Sequence, residues 1–505
     1  MKRSRPEAAS SEASRETAVA SSSNAKKVES TKVFKSPFQL TWIRDLPEAA
    51  NTDAVTLKDI LGDPLIAECW NFNYLHDIEF LMAAFDEDVR QSVQVNVVHG
   101  FWKKEDPNRL MLEMEAKPHK NVKLHCAYMP EMFGTHHSKM LVLLRHDDTA
   151  QVIIHTANII PQDWTNMTQA IWRSPLLPLN STPPSGRVIR SPTVGTGEKF
   201  KVDLLNYLRA YNQKRSICRS LVNQLDNHDF STIKAVLIAS VPGRHNIHDA
   251  SEETKWGWAA LKHSLRTVPV QEGESEIVIQ ISSIATLGPM DTWLRKSVFE
   301  SLKASKNKVK DEPSFKVVFP TPDEIRRSLD GYQSGASIHT KTQSSQQAKQ
   351  LLYLKPMFCH WANDAERGQP LNPASEIQEA GRKRAAPHIK TYIRYGEKSI
   401  DWALTTSANL SKQAWGEAAN PTSGEMRIAS WEIGVLVWPS LFADDAKMVA
   451  TFQTDTPEPD GEETSIVGLR IPYNLPLQPY GVNEKPWVAT ESYDEPDWQG
   501  QMWVV

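Results

Sequence analysis

The sequence predicts an α/β protein made of two similar α/β/α sandwich domains, related by a pseudo-two-fold axis and sharing one site at their junction. Three observations predict it. One short pattern occurs twice: His137-Ser138-Lys139 followed by Asn158, and His388-Ile389-Lys390 followed by Asn409, with the Asn 21 residues after the His in both copies. After each Lys come a short apolar run, a polar turn and a second apolar run, which reads as paired strands rather than a helix. Finally, 505 residues exceed what one compact core accommodates, so two domains are expected.

Residues 1–34 are rich in Ser, Ala, Glu and Lys, without apolar periodicity, and read as a disordered basic tail. Lys2-Arg3-Ser4-Arg5-Pro6 has the composition of a weak nuclear-import signal, or equally of a solvated basic end. The first domain, 35–230, contains a strand over Val93–Val98. Met140-Leu141-Val142-Leu143-Leu144, apolar on both faces, is a central strand. His146-Asp147-Asp148-Thr149 turns the chain into the return strand Val152-Ile153-Ile154. Pro, Ser and Gly make residues 177–199 a long loop, and a helical stretch from Leu204-Leu205-Asn206-Tyr207-Leu208 ends near Asn227-His228-Asp229. The second domain, 231–505, opens with the strand Ala235–Ile238. It repeats the hairpin with Thr391-Tyr392-Ile393, a turn near Gly396, and Trp402-Ala403-Leu404-Thr405. Residues 362–386 are polar, end in Gly381-Arg382-Lys383-Arg384, and read as a solvated disordered loop, or as one that overhangs the site.

His-x-Lys alone is a weak signal, since with 15 His roughly one match is expected by chance. The chain contains such a match, His339-Thr340-Lys341, which lacks the downstream Asn. The other two share more: each Asn is followed at +4 by a Gln (Gln162, Gln413) and at +6 by a Trp (Trp164, Trp415). Strand alternation puts His137 and Lys139 on one face and His136 on the other, where a structural role is expected. Two Lys and two Asn are donors suited to the non-bridging oxygens of a phosphodiester under attack. One imidazole can attack phosphorus, and a second can protonate the leaving oxygen and then activate water. No metal and no cofactor is required. Cys69, Cys126, Cys218 and Cys359 are scattered, with no Cys-x-x-Cys pair.

These residues resemble the phospholipase D superfamily, whose members carry two His-x-Lys motifs. Most members have an Asp five residues after the Lys, where this chain has Leu144 and Tyr395. That departure weighs against a phospholipase D-like lipase and is similar to the eukaryotic, fungal-type tyrosyl-DNA phosphodiesterase branch. The likeness extends through Gly134-Thr135-His136-His137-Ser138-Lys139-Met140, Pro387–Tyr392, Ser407–Lys412, Ala414-Trp415-Gly416, Trp431–Leu436 and Met502-Trp503. It implies that His137 is the nucleophile and His388 the acid and base, with Lys139, Lys390, Asn158 and Asn409 clamping phosphate. It further implies that Gln169 and Glu432 orient the imidazoles, that Tyr74 and Phe133 line the substrate groove, and that Ser283, Thr286 and Ser337 contact DNA phosphates.

The activity so implied is removal of topoisomerase I peptide from a DNA 3′ end by a monomeric nuclear enzyme that leaves a 3′-phosphate. The alternatives are a broader 3′-end phosphodiesterase, a lipase, or a catalytically silent scaffold that binds DNA ends. The complete His/Lys/Asn set weighs against the scaffold. Composition sets bounds on all of these. With 40% apolar residues, no run of 18 apolar residues and no signal-peptide core, a soluble protein without a membrane span is expected. The cysteine usage fits a reducing compartment. Net charge is −4, and residues 1–35 carry eight Lys/Arg against four Glu, so the body is acidic. Such a body suits local recognition of a chain end better than tight nonspecific duplex binding.

Overall fold

The apolar run after Lys139 becomes the middle strand of the first sheet, covered on both faces. Met140, Val142 and Leu144 point into one apolar core, and Leu141 and Leu143 into another, as the two-residue period of a strand requires. This is a computed structural model that describes residues 32–180, 192–251, 253–371, 376–459 and 464–505. The Lys2–Pro6 segment lies outside the described residues, with most of the N-terminal tail.

The strands in chain order are β1 (Val33–Phe34), β2 (Gln39–Leu40), β3 (Ile66–Phe72), β4 (Gln94–His99), β5 (Val122–Cys126), β6 (Met140–Arg145), β7 (Thr149–His155), β8 (Ala170–Arg173) and β9 (Leu177–Pro178). They continue with β10 (Val236–Ser240), β11 (Gly243–Asn246), β12 (Glu276–Gln280), β13 (Ser314–Val318), β14 (Phe358–Cys359) and β15 (Thr391–Tyr395). The last are β16 (Ile400–Thr406), β17 (Glu425–Ile428), β18 (Glu432–Val437), β19 (Lys447–Thr451) and β20 (Ile466–Arg470). The first sheet runs β5-β4-β3-β6-β7-β8-β2, and the second contains β14-β13-β12-β15-β16-β18-β10. Both orders have the same parallel pairs at one end and antiparallel pairs through the rest. The repeat seen in two short motifs is therefore a repeat of whole sheets. The first sheet is drawn from residues 39–178, while β1, although N-terminal, pairs with β20 in the second sheet.

The two sheets meet through β7, which contacts β16 and β18. One apolar core runs across that meeting and takes in both sheets, while a second core lies on the outer face of the first sheet. The helical stretch expected from Leu204 is two helices, Gly197–Ala210 and Arg219–Asp226. The first is capped by Thr196, whose side chain accepts from Lys199 N–H, and it begins inside the stretch read from sequence as loop. It buries Phe200, Leu204, Tyr207 and Leu208 at helical spacing.

The described part of 362–386 corrects the expectation of a solvated loop. Arg382 is fully buried, and its Nη1 donates to Thr41 O at 2.8 Å. Asn363 Nδ2 donates to the carbonyls of Asn474 at 2.8 Å and Pro476 at 2.6 Å. These polar side chains, which suggested solvation, satisfy backbone groups instead, Arg382 across to the first half and Asn363 within the second. No helix among the described residues is long and apolar enough to cross a membrane.

Candidate active site

Each His-x-Lys segment lies just before its strand, in extended chain leading into β6 or β15, rather than within the strand. Each is held there by the other half. His137 N–H donates to Trp431 O at 3.0 Å, and Trp431 N–H donates to Thr135 O at 2.9 Å. On the pseudo-symmetric side, His388 and Ile389 N–H both donate to Thr168 O, at 3.1 and 2.8 Å, and Thr168 N–H donates to Ala386 O at 2.9 Å. Trp431 and Thr168 immediately precede Glu432 and Gln169, so the pairing that holds each histidine backbone also delivers the residue that meets its ring.

Alternation around His137 survives, although the segment is not a strand. His136 and Ser138 turn away from the site toward the helix Gly197–Ala210 and the residue after it. His136 is buried between Asn73 O and the Tyr211 hydroxyl, each at 2.9 Å, and Ser138 bonds the Tyr207 hydroxyl. Tyr207 and Tyr211 are one helical turn apart and present both hydroxyls on one side. Three residues upstream of His137, Gly134 has no room for a methyl group, since a Cβ would fall 1.8 Å from Ala429 O. Gly134→Ala is expected to destabilise the protein by about 1–3 kcal/mol. A denaturant melt of the variant beside wild type checks this.

The side chains form two matching relays. Glu432 Oε2 lies 2.9 Å from His137 Nδ1 and accepts from the Ser407 hydroxyl. Gln169 Nε2 lies 3.1 Å from His388 Nδ1, and its Oε1 accepts from Thr156 Oγ1 at 2.8 Å. Ser407 and Thr156 follow β16 and β7 at equivalent positions, and each hydroxyl accepts a backbone N–H, from Ile433 at 3.0 Å or Ala170 at 2.9 Å. One residue breaks the symmetry. Asp163 Oδ2 lies 3.0 Å from His388 Nδ1 and accepts from Asn158 N–H at 2.6 Å. An ionised carboxylate can only accept, so Glu432 places a proton on His137 Nδ1 and leaves its Nε2 as the reactive nitrogen. At His388 Asp163 favours the same tautomer, whereas the Gln169 NH2 would donate to a bare Nδ1. Burial would raise the Asp163 carboxyl, but His388 and the Asn158 N–H outweigh it and hold Asp163 below its ordinary value.

Sequence reading did not find Asp163. Its equivalent in the second half, five residues past Asn409, is Ala414, so a search for repeated residues passes over it. The remaining signal was an acidic residue between Gln162 and Trp164, in a segment that proves fully buried at Asp163.

The lysines are wholly buried. Burial lowers Lys139 to about 8, with Glu432 and Asp163 opposing; burial and the charge of Lys139 push Lys390 well below its usual value. Burial also lowers His137, and burial with Lys390 lowers His388 to about 3. Desolvated cations so close together favour an anionic ligand, whose charge would offset both costs. Asn409 Oδ1 accepts from Ser282 and Ser283 N–H at 3.1 and 2.9 Å, which turns its amide N–H groups outward as donors. Asn158 is 4% exposed, with its backbone carbonyl bonded by Trp164 Nε1 at 2.8 Å.

The remaining predicted residues divide. The Tyr74 ring lies 5.9 Å from that of His137. Ser283 belongs to the segment that holds Asn409 and pairs with His339. Ser337 lies two residues before that pairing. Phe133 is 78% exposed, and Thr286 is exposed with Gln347 Nε2 at 3.4 Å, so neither is drawn into the cluster. The third His-x-Lys, read as a chance match, has its backbone bonded to Ser282 O and Ile284 N–H, each at 2.9 Å. Its His339 therefore lies beside the Asn409 segment, without an Asn of its own. Among the described residues no group of three or more His, Cys, Asp or Glu is arranged to hold a metal.

Two duplicated mixed sheets, meeting at paired His-Lys-Asn sets, give the chain a phospholipase D-like fold. The tyrosyl-DNA phosphodiesterase family model matches residues 37–481, and the chain belongs to that family. It is 31% identical to a probable tyrosyl-DNA phosphodiesterase of Schizosaccharomyces pombe, over 94% of this chain and 96% of that protein. It is 30% identical to tyrosyl-DNA phosphodiesterase 1 of Arabidopsis thaliana, over 93% of this chain and 76% of that protein. The crystal structure of the yeast tyrosyl-DNA phosphodiesterase shares the fold, with a TM-score of 0.61 at 20% identity over 90% of this chain and 99% of that one.

Proposed function

We propose that this enzyme hydrolyses the 3′-phosphotyrosyl bond between DNA and topoisomerase I, through a phosphohistidine on His137, and leaves a 3′-phosphate. The observation that carries it is the pair of imidazoles, each with Nδ1 on a carboxylate from the opposite half, among two buried lysines. In the first step His137 Nε2 attacks phosphorus while the bond to the tyrosyl oxygen breaks. His388 gives that oxygen its proton. In the second step water attacks phosphorus, His388 takes the water proton, and the P–N bond breaks to free His137. Lys139, Lys390, Asn158 and Asn409 donate to the non-bridging oxygens as charge builds there. Burial keeps His388 neutral in the free enzyme, and the phosphodiester charge beside it raises its basicity, which favours both the protonated form that the first step needs and proton uptake from water in the second.

Tyr74 and Phe133 are proposed to line the strand's path, and Ser283, Thr286 and Ser337 to meet its phosphates. The family, the DNA substrate class and the basic tail support a nuclear setting. The function test is a 3′-phosphotyrosyl oligonucleotide incubated with enzyme in EDTA. Release of a 3′-phosphate strand at the untreated rate is expected, because the lysine and asparagine donors supply what a metal would. Loss of activity in EDTA that a divalent ion restores would sink this mechanism.

Two further outcomes concern the lysines. Lys139→Ala and Lys390→Ala should each lower kcat by about 10²-fold or more, as a preorganised donor is lost; full activity in either would show the clamp misassigned. Lysine is cationic below its pKa, and Lys139 is held near 8 in the free enzyme. kcat/KM should therefore fall as pH rises through about 8, while kcat, which reports the complex, should hold to higher pH because bound phosphate raises both lysines. Parallel profiles of the two constants would contradict this.

A further inference from the structure

The edge of the first sheet that carries His137 carries more than the catalytic set uses. β3 runs antiparallel to β6 and parallel to β4, which is parallel to β5. The carboxyl ends of β3, β4 and β5 therefore lie beside the start of β6, where ligands gather in open α/β sheets. Each of these strands is followed by an aromatic: Tyr74 after β3, Phe101 and Trp102 after β4, and Phe133 between β5 and β6. The rings connect to the site in series, with Phe101 at 6.1 Å from Tyr74 and Tyr74 at 5.9 Å from His137. The loop after β4 is pressed against the His137 segment, since a Cβ on Gly100 would come within 2.4 Å of His136 Cβ. Phe101 is buried, whereas Trp102 is 55% exposed. The carbonyl of Trp102 accepts from Arg109 Nη1 at 3.4 Å, and Lys103 Nζ lies 5.4 Å from its ring centroid. Lys103 and Lys104 are both exposed.

We propose that Trp102, with Lys103 and Lys104, is a stacking station for a nucleobase of the DNA strand, some nucleotides away from the cleaved 3′ end. The inference rests on the reading of the site as a 3′-phosphodiesterase. An exposed indole with the Lys103 ammonium by its ring and a second exposed lysine, Lys104, next in sequence matches single-stranded nucleic acid, which offers a base face to the ring and phosphates to the cations. In-line attack decides between DNA and peptide. His137 approaches phosphorus from one side, so the tyrosyl group leaves on the opposite side, toward His388. The strand stays bonded to phosphorus through an equatorial oxygen, between the two, and is the part of the substrate free to pass over the surface continuous with His137.

The test compares wild type, Trp102→Leu and Trp102→Phe on a minimal substrate, thymidine 3′-(p-nitrophenyl phosphate), and on a single-stranded 3′-phosphotyrosyl oligonucleotide of about 14 nucleotides. Trp102→Leu should raise KM for the oligonucleotide by roughly 10-fold at unchanged kcat, Trp102→Phe should recover most of the loss, and the minimal substrate should not distinguish the three. In catalytically stalled complexes, 2-aminopurine should be quenched at one position along the strand by wild-type sequence at residue 102 and not by Trp102→Leu. Equal oligonucleotide kinetics in wild type and Trp102→Leu would overturn the proposal, as would an equal loss on the minimal substrate. A loss that follows the length of the attached peptide rather than of the DNA would assign Trp102 to protein and also overturn it. Failure of wild type to cleave either substrate would remove the parent reading, and this inference with it.

Discussion

His137→Ala is expected to abolish covalent attachment of DNA and to lower turnover of a 3′-phosphotyrosyl oligonucleotide on the order of 10⁴- to 10⁶-fold, the range seen when a nucleophile is removed. The magnitude follows from position. The His137 backbone is fixed by Trp431 O at 3.0 Å, and its ring by Glu432 at 2.9 Å, so attack begins from an oriented nitrogen. Water admitted in its place has no such restraint. The alanine variant should fold, because the neighbours that hold the segment, His136 on Tyr211 and Ser138 on Tyr207, are untouched. A melt matching wild type, together with absent turnover in a single-turnover assay, checks both parts. Retained turnover would move the nucleophile elsewhere.

His388→Asn should behave differently, although the two motifs look alike. Phenolate is a fairly good leaving group, with a tyrosine pKa near ~10, so the first step needs less help than departure of an aliphatic alcohol. Water is a poor nucleophile without a base, so the second step suffers more. The variant should form the covalent species slowly and hydrolyse it more slowly still, so that a protein–DNA adduct accumulates. Asp163→Asn should share part of this defect, because it removes the carboxylate that sets the His388 tautomer and Gln169 alone remains beside Nδ1. A denaturing gel after single turnover reads both. An adduct in His137→Ala but not in His388→Asn would reverse the two roles.

What sequence made visible was whatever repeats at close range. His137, Lys139 and Asn158 lie within one hairpin and its flanks, as do His388, Lys390 and Asn409, so their spacing is kept by β6 and β7 or by β15 and β16. Two similar halves were expected from the repeated motif, but the strand order they share, seven strands twice, was not legible because unlike lengths of chain separate the strands of the second copy. Asp163 was hidden because asymmetry is invisible to a search for symmetry. The roles of Gln169 and Glu432 came through resemblance, with the apolar strand around Glu432 as the one local sign of a partnered carboxylate: neither sits near its histidine in sequence, and the strand pairing that brings them there is long-range. The polar stretch after Ala362 was misread because composition does not report which polar groups find partners inside the fold, as Asn363 and the Nη1 of Arg382 do.

The most direct test of the account is the chemical identity of the trapped adduct. His388→Asn enzyme would be quenched after single turnover on a 3′-phosphotyrosyl oligonucleotide, digested under conditions that preserve P–N bonds, and mapped by mass. One modified peptide is expected, containing His137 and carrying the nucleotide through phosphorus on the imidazole, with free tyrosine released in equal amount. Modification on any other residue, or tyrosine release with no adduct at any time, would contradict it.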